Sequence, residues 1–232
     1  MKLHYLVALG VITMAGTTTS YADTPAHYSR ITDYKGMAAP DAPLAQTLPP
    51  LTRAAEAGDA GAMGRIYAGL SKCRALRRDT DRTDASAYCE GVPEATIQMA
   101  GAFLAQAASL GDPNAQYVYA LAGTQELSNS TEGHPSGGEV RAYRAQAEGY
   151  LVDLAKQCNV SAIQQMYRER RDGRHLLAAD LPAAYAMLQS LSMISPSLVE
   201  AGDFTALENL MIPSDLARAR EAGVSFVNEH CR

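Results

Sequence analysis

The stretch Ala105-Gln106-Ala107-Ala108-Ser109-Leu110-Gly111-Asp112-Pro113-Asn114-Ala115-Gln116-Tyr117 decides the fold. Its centre is Gly-Asp-x-x-Ala, which recurs at Gly58-Asp59…Ala62 and at Gly202-Asp203…Ala206. An eroded copy reads Cys158-Asn159…Ala162. Three residues ahead of each glycine position stand Ala55, Ala108, Ala155 and Val199. The markers follow one another at 53, 47 and 44 residues. The longest interval holds the charged segment Arg74 to Tyr88, and the next holds the connector Ser128–Gly138. Without such insertions the units approach the roughly 34 to 45 residues of two-helix repeats, which stack rather than close into a catalytic domain.

The block reads as a hinge between two helices. Glycine takes the left-handed backbone that ends the first helix. Aspartate then accepts from backbone N–H groups left unpaired at the start of the second. An alanine one turn to each side lets the two helices approach closely. Gly58, Asp59, Ala62, Gly111, Asp112, Ala115, Asn159, Ala162, Gly202 and Asp203 are therefore hinge residues rather than catalytic ones. Cys158 replaces the permissive glycine, so the third hinge is expected to be geometrically altered and compensated by a disulfide.

Helical spacing surrounds the hinges. Leu44, Leu48 and Leu51 recur at spacings of three and four, with Pro49-Pro50 expected to start the first helix proper. Met63, Ile66, Tyr67 and Leu70 follow the first hinge; Phe103, Leu104 and Leu110 precede the second. A fourth unit opens at Asp180, and a last helix from Ser214 caps the stack. Residues 23–42 lack periodicity and read as an extended arm ahead of an all-α repeat domain over 43–232. The first residues, MKLHYLVALGVITMAGTTTSYA, read as a signal peptide over 1–22, with Ser20-Tyr21-Ala22 before the cut. The expected product is periplasmic or secreted, without a membrane span.

Losing residues 1–22 removes only Lys2 from 20 basic and 25 acidic residues, which takes the net charge from −5 to −6. That balance argues against nucleic-acid binding. No Gly-x-Ser-x-Gly, Ser-x-x-Lys, His-Glu-x-x-His or phosphate-binding glycine loop occurs, and no cofactor is implied. Thr32-Asp33-Tyr34-Lys35 imitates Ser-x-x-Lys only with Thr in place of Ser, and is set aside. Four cysteines in an exported chain read as disulfides, with three possible pairings. Cys73–Cys89 with Cys158–Cys231 is favoured. The first pair closes a polar loop, worth roughly 3 kcal/mol in the chain-entropy model, and the second ties the C-terminus to the third unit. Zinc is disfavoured because neither Cys-x-x-Cys nor His-x₃-His spacing is present.

The stretches Ala54–Ala62 and Ala105–Tyr117, with Asp180-Leu181-Pro182-Ala183-Ala184-Tyr185, resemble the signature of Sel-one-like repeats, relatives of the tetratricopeptide repeat. The likeness covers residues 50–210. It implies a right-handed α-α superhelix of about four helix-turn-helix repeats with a C-terminal capping helix. The family's downstream glycine position is held here by Tyr67, Ala120 and Tyr167, and its tyrosine position by Leu70, Gly123 and Arg170. The implied function is a non-catalytic adaptor or scaffold for a protein or peptide. Some exported relatives are penicillin-binding proteins, which makes a penicillin-binding or hydrolase activity the alternative. They staple each repeat with two cysteines seven residues apart, a spacing this chain lacks.

Two basic clusters end second helices: Arg74, Arg77, Arg78, Arg82 and Arg168, Arg170, Arg171, Arg174. Cations favour helix C-termini, and the clusters also suggest a groove edge for an anionic partner such as a carboxylate-rich peptide or envelope polymer. Arg77, Arg78, Arg171, Arg174, Tyr119 and Tyr143 are the candidate partner-binding residues, tyrosine being a frequent interface anchor. Non-reducing mass mapping is expected to recover the favoured cysteine pairs; a Cys73–Cys158 bridge would overturn them.

Overall fold

A computed structural model describes residues 28–78, 84–122, 136–173 and 176–232. The signal segment 1–22, the start of the arm, Arg82, most of the Ser128–Gly138 connector and Arg174 lie outside the described residues. The described chain is helical. The order is α1 Leu44–Glu56, α2 Ala60–Arg78, α3 Asp84–Cys89, α4 Glu94–Gln98, α5 Ala100–Ser109 and α6 Pro113–Ala122. Then come α7 Gly137–Lys156, α8 Val160–Asp172, α9 Leu181–Ile194, α10 Ala201–Glu208 and α11 Pro213–His230.

The hinges recur with near-identical bonding. Gly58 and Gly111 both stand at φ 89°. At the first hinge Gly58 N–H donates to Ala55 O (2.9 Å) and Asp59 N–H to Ala54 O (3.0 Å). At the second, Gly111 N–H donates to Ala108 O (3.0 Å) and Asp112 N–H to Ala107 O (3.2 Å). These paired bonds satisfy carbonyls at the end of the incoming helix. The carboxylates cap the outgoing one: Ala62 N–H donates to Asp59 Oδ1 at 3.0 Å and Ala115 N–H to Asp112 Oδ1 at 2.7 Å. Ala55, Ala62, Ala108 and Ala115 are all buried, so a larger side chain at any of them would force the helices apart.

The third hinge is not altered, contrary to the sequence expectation. Cys158 adopts the left-handed backbone itself, at φ 56°. Its N–H donates to Ala155 O (2.9 Å), Asn159 N–H donates to Leu154 O (3.0 Å), and Ala162 N–H donates to Asn159 Oδ1 (3.0 Å). The turn geometry is thus set by the carbonyls it must satisfy, and a non-glycine residue accepts a cost of about 1–2 kcal/mol to meet it. Cys158 lies at disulfide distance from Cys231, Cα–Cα 5.1 Å, and both are fully buried. Cys73 and Cys89 form the other such pair, Cα–Cα 5.6 Å, holding α3 against α2. These are the pairs favoured from the sequence.

Two further expectations are corrected. Helix α1 starts at Leu44 and carries Pro49 and Pro50 inside it, rather than starting at them. The helix is anchored at its start by the fully buried Leu44, whose methyl lies 2.7 Å from where a Cβ on Gly69 would fall. The fourth marker is no hinge. Gly202 and Asp203 lie inside α10, preceded by a short 3-10 turn, Pro196–Leu198, and an extended Val199. With no incoming α-helix to terminate there, Asp203 instead accepts from Glu200 N–H at 3.0 Å, in the manner of a capping box.

Packing follows chain order. Helix α1 packs on α2, α2 on α5, α5 on α6, α6 on α7, α7 on α8 and α8 on α9. One core groups Ile66, Leu70, Ile97 and Leu104; another groups Leu151, Ile163, Tyr185 and Leu188, and Tyr119 packs against both. The main partner of α9 is α11, not α10. Their approach depends on Gly223, where an added Cβ would fall 2.6 Å from Ala186 O. Ser190 Oγ donates to both Ala186 O (2.9 Å) and Gly223 O (3.1 Å) across the contact.

The left-handed cysteine yields a test. With the pair removed in both proteins, Cys158→Gly/Cys231→Ser is expected to be more stable than Cys158→Ala/Cys231→Ser by about 1 kcal/mol in urea unfolding. Equal stability would show that Cys158 carries no backbone strain.

Candidate functional site

Most of the sequence-derived candidates are occupied within the molecule. Arg77 donates to Val92 O at 2.8 Å and pairs with Glu94, clamping the end of α2 to the entry of α4. Arg78 is exposed at the last position of α2. Arg171 pairs with Asp172 at 2.7 Å and donates to the Tyr167 hydroxyl at 3.2 Å. Tyr143 is a core residue, a correction to its reading as a partner-binding one: it is 5 % exposed, and its hydroxyl donates to Tyr119 O. Tyr119 is half-buried, its ring 4.6 Å from that of Tyr143 and its hydroxyl 3.2 Å from Gln146 Oε1. Burial raises the Tyr119 pKa, as expected of a packing residue. Arg174 lies outside the described residues.

The irregular C-terminal part builds a groove. Gln164, Tyr167, Arg168 and Arg171 of α8 face Ser197, Leu198, Glu200 and Asp203 across a volume of about 490 Å³. Arg168 is exposed there. None of Arg74, Arg77 or Arg78, the described members of the first basic cluster, lines this space. Its lining is mixed, two arginines opposite two carboxylates. Tyr167 organises the floor, its hydroxyl donating to Asp203 Oδ1 at 3.2 Å while receiving the Arg171 donor. Burial of that ring pushes its hydroxyl pKa upward.

The far side of α10 repeats this arrangement. Tyr185 donates to Glu208 Oε1 at 2.9 Å, and Arg220 of α11 donates to both, at 3.0 Å and 2.7 Å. Tyrosine, carboxylate and arginine thus fasten this short helix on both sides, to α8 by Asp203 and to α9 and α11 by Glu208. The sequence offered no sign of either set, because their members are separated by up to 36 residues.

A second surface runs along the hinge edge, and the arm occupies it. Thr32 N–H donates to Cys158 O (3.1 Å) and Val160 N–H donates to Thr32 O (2.9 Å), a parallel bridge to the third hinge. Asp33 accepts from the Ser161 hydroxyl. Tyr34 lies on Tyr117 with ring centroids 4.8 Å apart, and Lys35 N–H donates to Asn114 Oδ1 (3.1 Å) at the second hinge. Met37 then reaches Gly64 of α2, and Pro40 reaches Gly69. The arm therefore crosses the starts of α8, α6 and α2 in reverse chain order. Upstream, Tyr28 packs against Cys158, Cys231 and Val227.

No family model, curated protein or solved structure matches the chain. The resemblance to Sel-one-like repeats rests on the stretches Ala54–Ala62, Ala105–Tyr117 and Asp180–Tyr185 alone. No helix among the described residues is long and apolar enough to cross a membrane. The cysteine pairs fit an oxidising compartment.

The Glu208 set makes stability depend on pH. The Arg220 guanidinium first, then the Tyr185 hydroxyl, hold the Glu208 carboxyl below its ordinary range. A depressed carboxyl contributes stability above its unfolded pKa and loses it as pH falls through the folded one. Glu208→Gln is therefore expected to lower the melting temperature at neutral pH, and the gap from the parent should shrink progressively as pH falls below the ordinary glutamate value of about 4.3. A gap that stays constant with pH, followed by circular dichroism, would remove the charge from the account.

Proposed function

We propose that the chain is an exported, non-catalytic adaptor: a right-handed α-solenoid in which three regular helix pairs are followed by α9 and closed by α11. Repeated hinge bonding and packing in chain order support that shape, since stacked repeats touch mainly their neighbours. The adaptor reading is carried by one observation, the mixed-charge groove of about 490 Å³ between α8 and the Ser197–Asp203 segment. It lies where the repeat becomes irregular, and its floor is fixed by bonds through Tyr167 and Asp203. Opposed arginines and carboxylates complement a peptide, which brings both signs and an amide backbone, better than a uniformly anionic envelope polymer. The partner is accordingly a protein segment, met in the periplasm or outside the cell, and no cofactor takes part.

Arg168 is the residue to change, because Arg171 is already paired within the protein. Arg168→Glu in the mature chain is expected to reduce recovery of a cross-linked envelope protein at least several-fold, against an Arg78→Glu control that leaves it unchanged. Equal recovery from both variants would place binding elsewhere. Labelling by a fluorescent penicillin, abolished by prior boiling, would favour the hydrolase-type alternative instead.

A further inference from the structure

We propose that the hinge edge is a receptor for an extended polypeptide segment of the register Asp-Tyr-x-Gly-Met, and that residues 32–37 are a tethered occupant which such a segment from a partner protein displaces. None of the seat's residues lines the α8 groove, so the inference goes beyond the adaptor reading.

The seat recognises backbone and side chains together. The carbonyl of Cys158 and the N–H of Val160 pair with the two sides of one extended residue, Thr32, as an added strand pairs with a sheet edge. The Asn114 amide oxygen takes a further backbone N–H, from Lys35. Between these points Ser161 receives the Asp33 carboxylate and Tyr117 receives the Tyr34 ring. Gly36 turns the chain at φ 82°, and Met37 drops onto Gly64, where an added Cβ would lie 2.9 Å from its methyl. Aromatic, glycine and methionine thus occur at fixed intervals along one line.

The arm is poorly fitted to be a permanent part of the core. Thr32, Asp33, Lys35 and Gly36 are exposed, so their hydrogen bonds trade against water. Beside Gly36, Met37 and Ala38 a cavity of about 530 Å³ stays open, walled by Leu51, Ala54 and Arg65. What keeps the arm seated is its tether, because Pro40 and Leu44 are buried against α2 only a few residues on. A short tether presents its segment at millimolar effective concentration, which shuts out weak competitors and yields to strong ones.

The test uses the full mature chain and a fluorescein-labelled peptide of residues 30–39. Thr32→Pro/Tyr34→Ala removes one backbone donor and the stacked ring from the arm while leaving the seat intact. The peptide is expected to bind this variant at least roughly tenfold more tightly than the parent, as release from a millimolar competitor requires. In the same background Tyr117→Ala should lose that gain, as should a peptide with both Tyr34 and Met37 replaced by alanine. Amide exchange of Val160 in the parent should accelerate when a tight-binding peptide variant that lacks the Thr32 carbonyl partner is added. Equal peptide binding by parent and loosened chains, with helical circular dichroism retained, overturns the proposal. If Thr32→Pro/Tyr34→Ala proves unfolded, Met37→Ala in the arm carries the same comparison. Reciprocal arm exchange, read as a concentration-dependent dimer of the parent, would assign the edge to a second copy and also overturn it. Leu198→Glu, on the groove wall opposite α8, should leave peptide binding untouched, so failure at this edge and failure of the α8 groove read out separately.

Discussion

Everything in this fold hangs on satisfying the backbone where one helix stops and the next begins. Each regular hinge closes two carbonyls with a left-handed residue and one N–H with a side-chain oxygen, at nearly equal distances. Buried carbonyls without partners cost more than one strained dihedral angle, which is why Cys158 is bent into a glycine's conformation. The alanines then follow as a requirement of close packing. Across these three hinges the helices pack largely in chain order.

The hinge rule also explains where the regular order ends. At the fourth marker there is no incoming α-helix to terminate, so the same Gly-Asp pair serves inside a helix instead. Among the residues of short α10 whose burial is described, Leu207 alone is buried in the neighbouring core, and polar sets built on Tyr167 and Tyr185 take over part of the attachment. Polar fastening leaves charged groups near the surface, and the mixed groove beside α8 is its by-product. Irregularity and the mixed-charge groove thus share one origin.

Much of the fold was legible in the sequence because the hinge needs particular residue types at fixed short spacings. Gly58, Asp59, Gly111, Asp112 and Asn159 announce themselves that way, and so does the cap at Asp180, which accepts from Ala183 N–H. The cysteine pairs followed from loop chemistry. What stayed hidden depends on distant residues meeting. Nothing near Tyr143 told that its hydroxyl would be spent on the Tyr119 carbonyl, or near Arg77 that Val92 and Glu94 would take it. The Thr32–Lys35 stretch was set aside as a false catalytic motif in an unpatterned arm. It lacked periodicity because it lies on other elements instead of forming one.

The bridge between Cys158 and Cys231 spans 73 residues, whereas Cys73 and Cys89 are 16 apart. A chain delivered from its N-terminus can close the short link while later helices are still arriving. The long one must wait for residue 231. Until then the third hinge, whose carbonyl receives Thr32, lacks its covalent tie. The arm, made before the helices it lies on, is thus among the last segments to be seated.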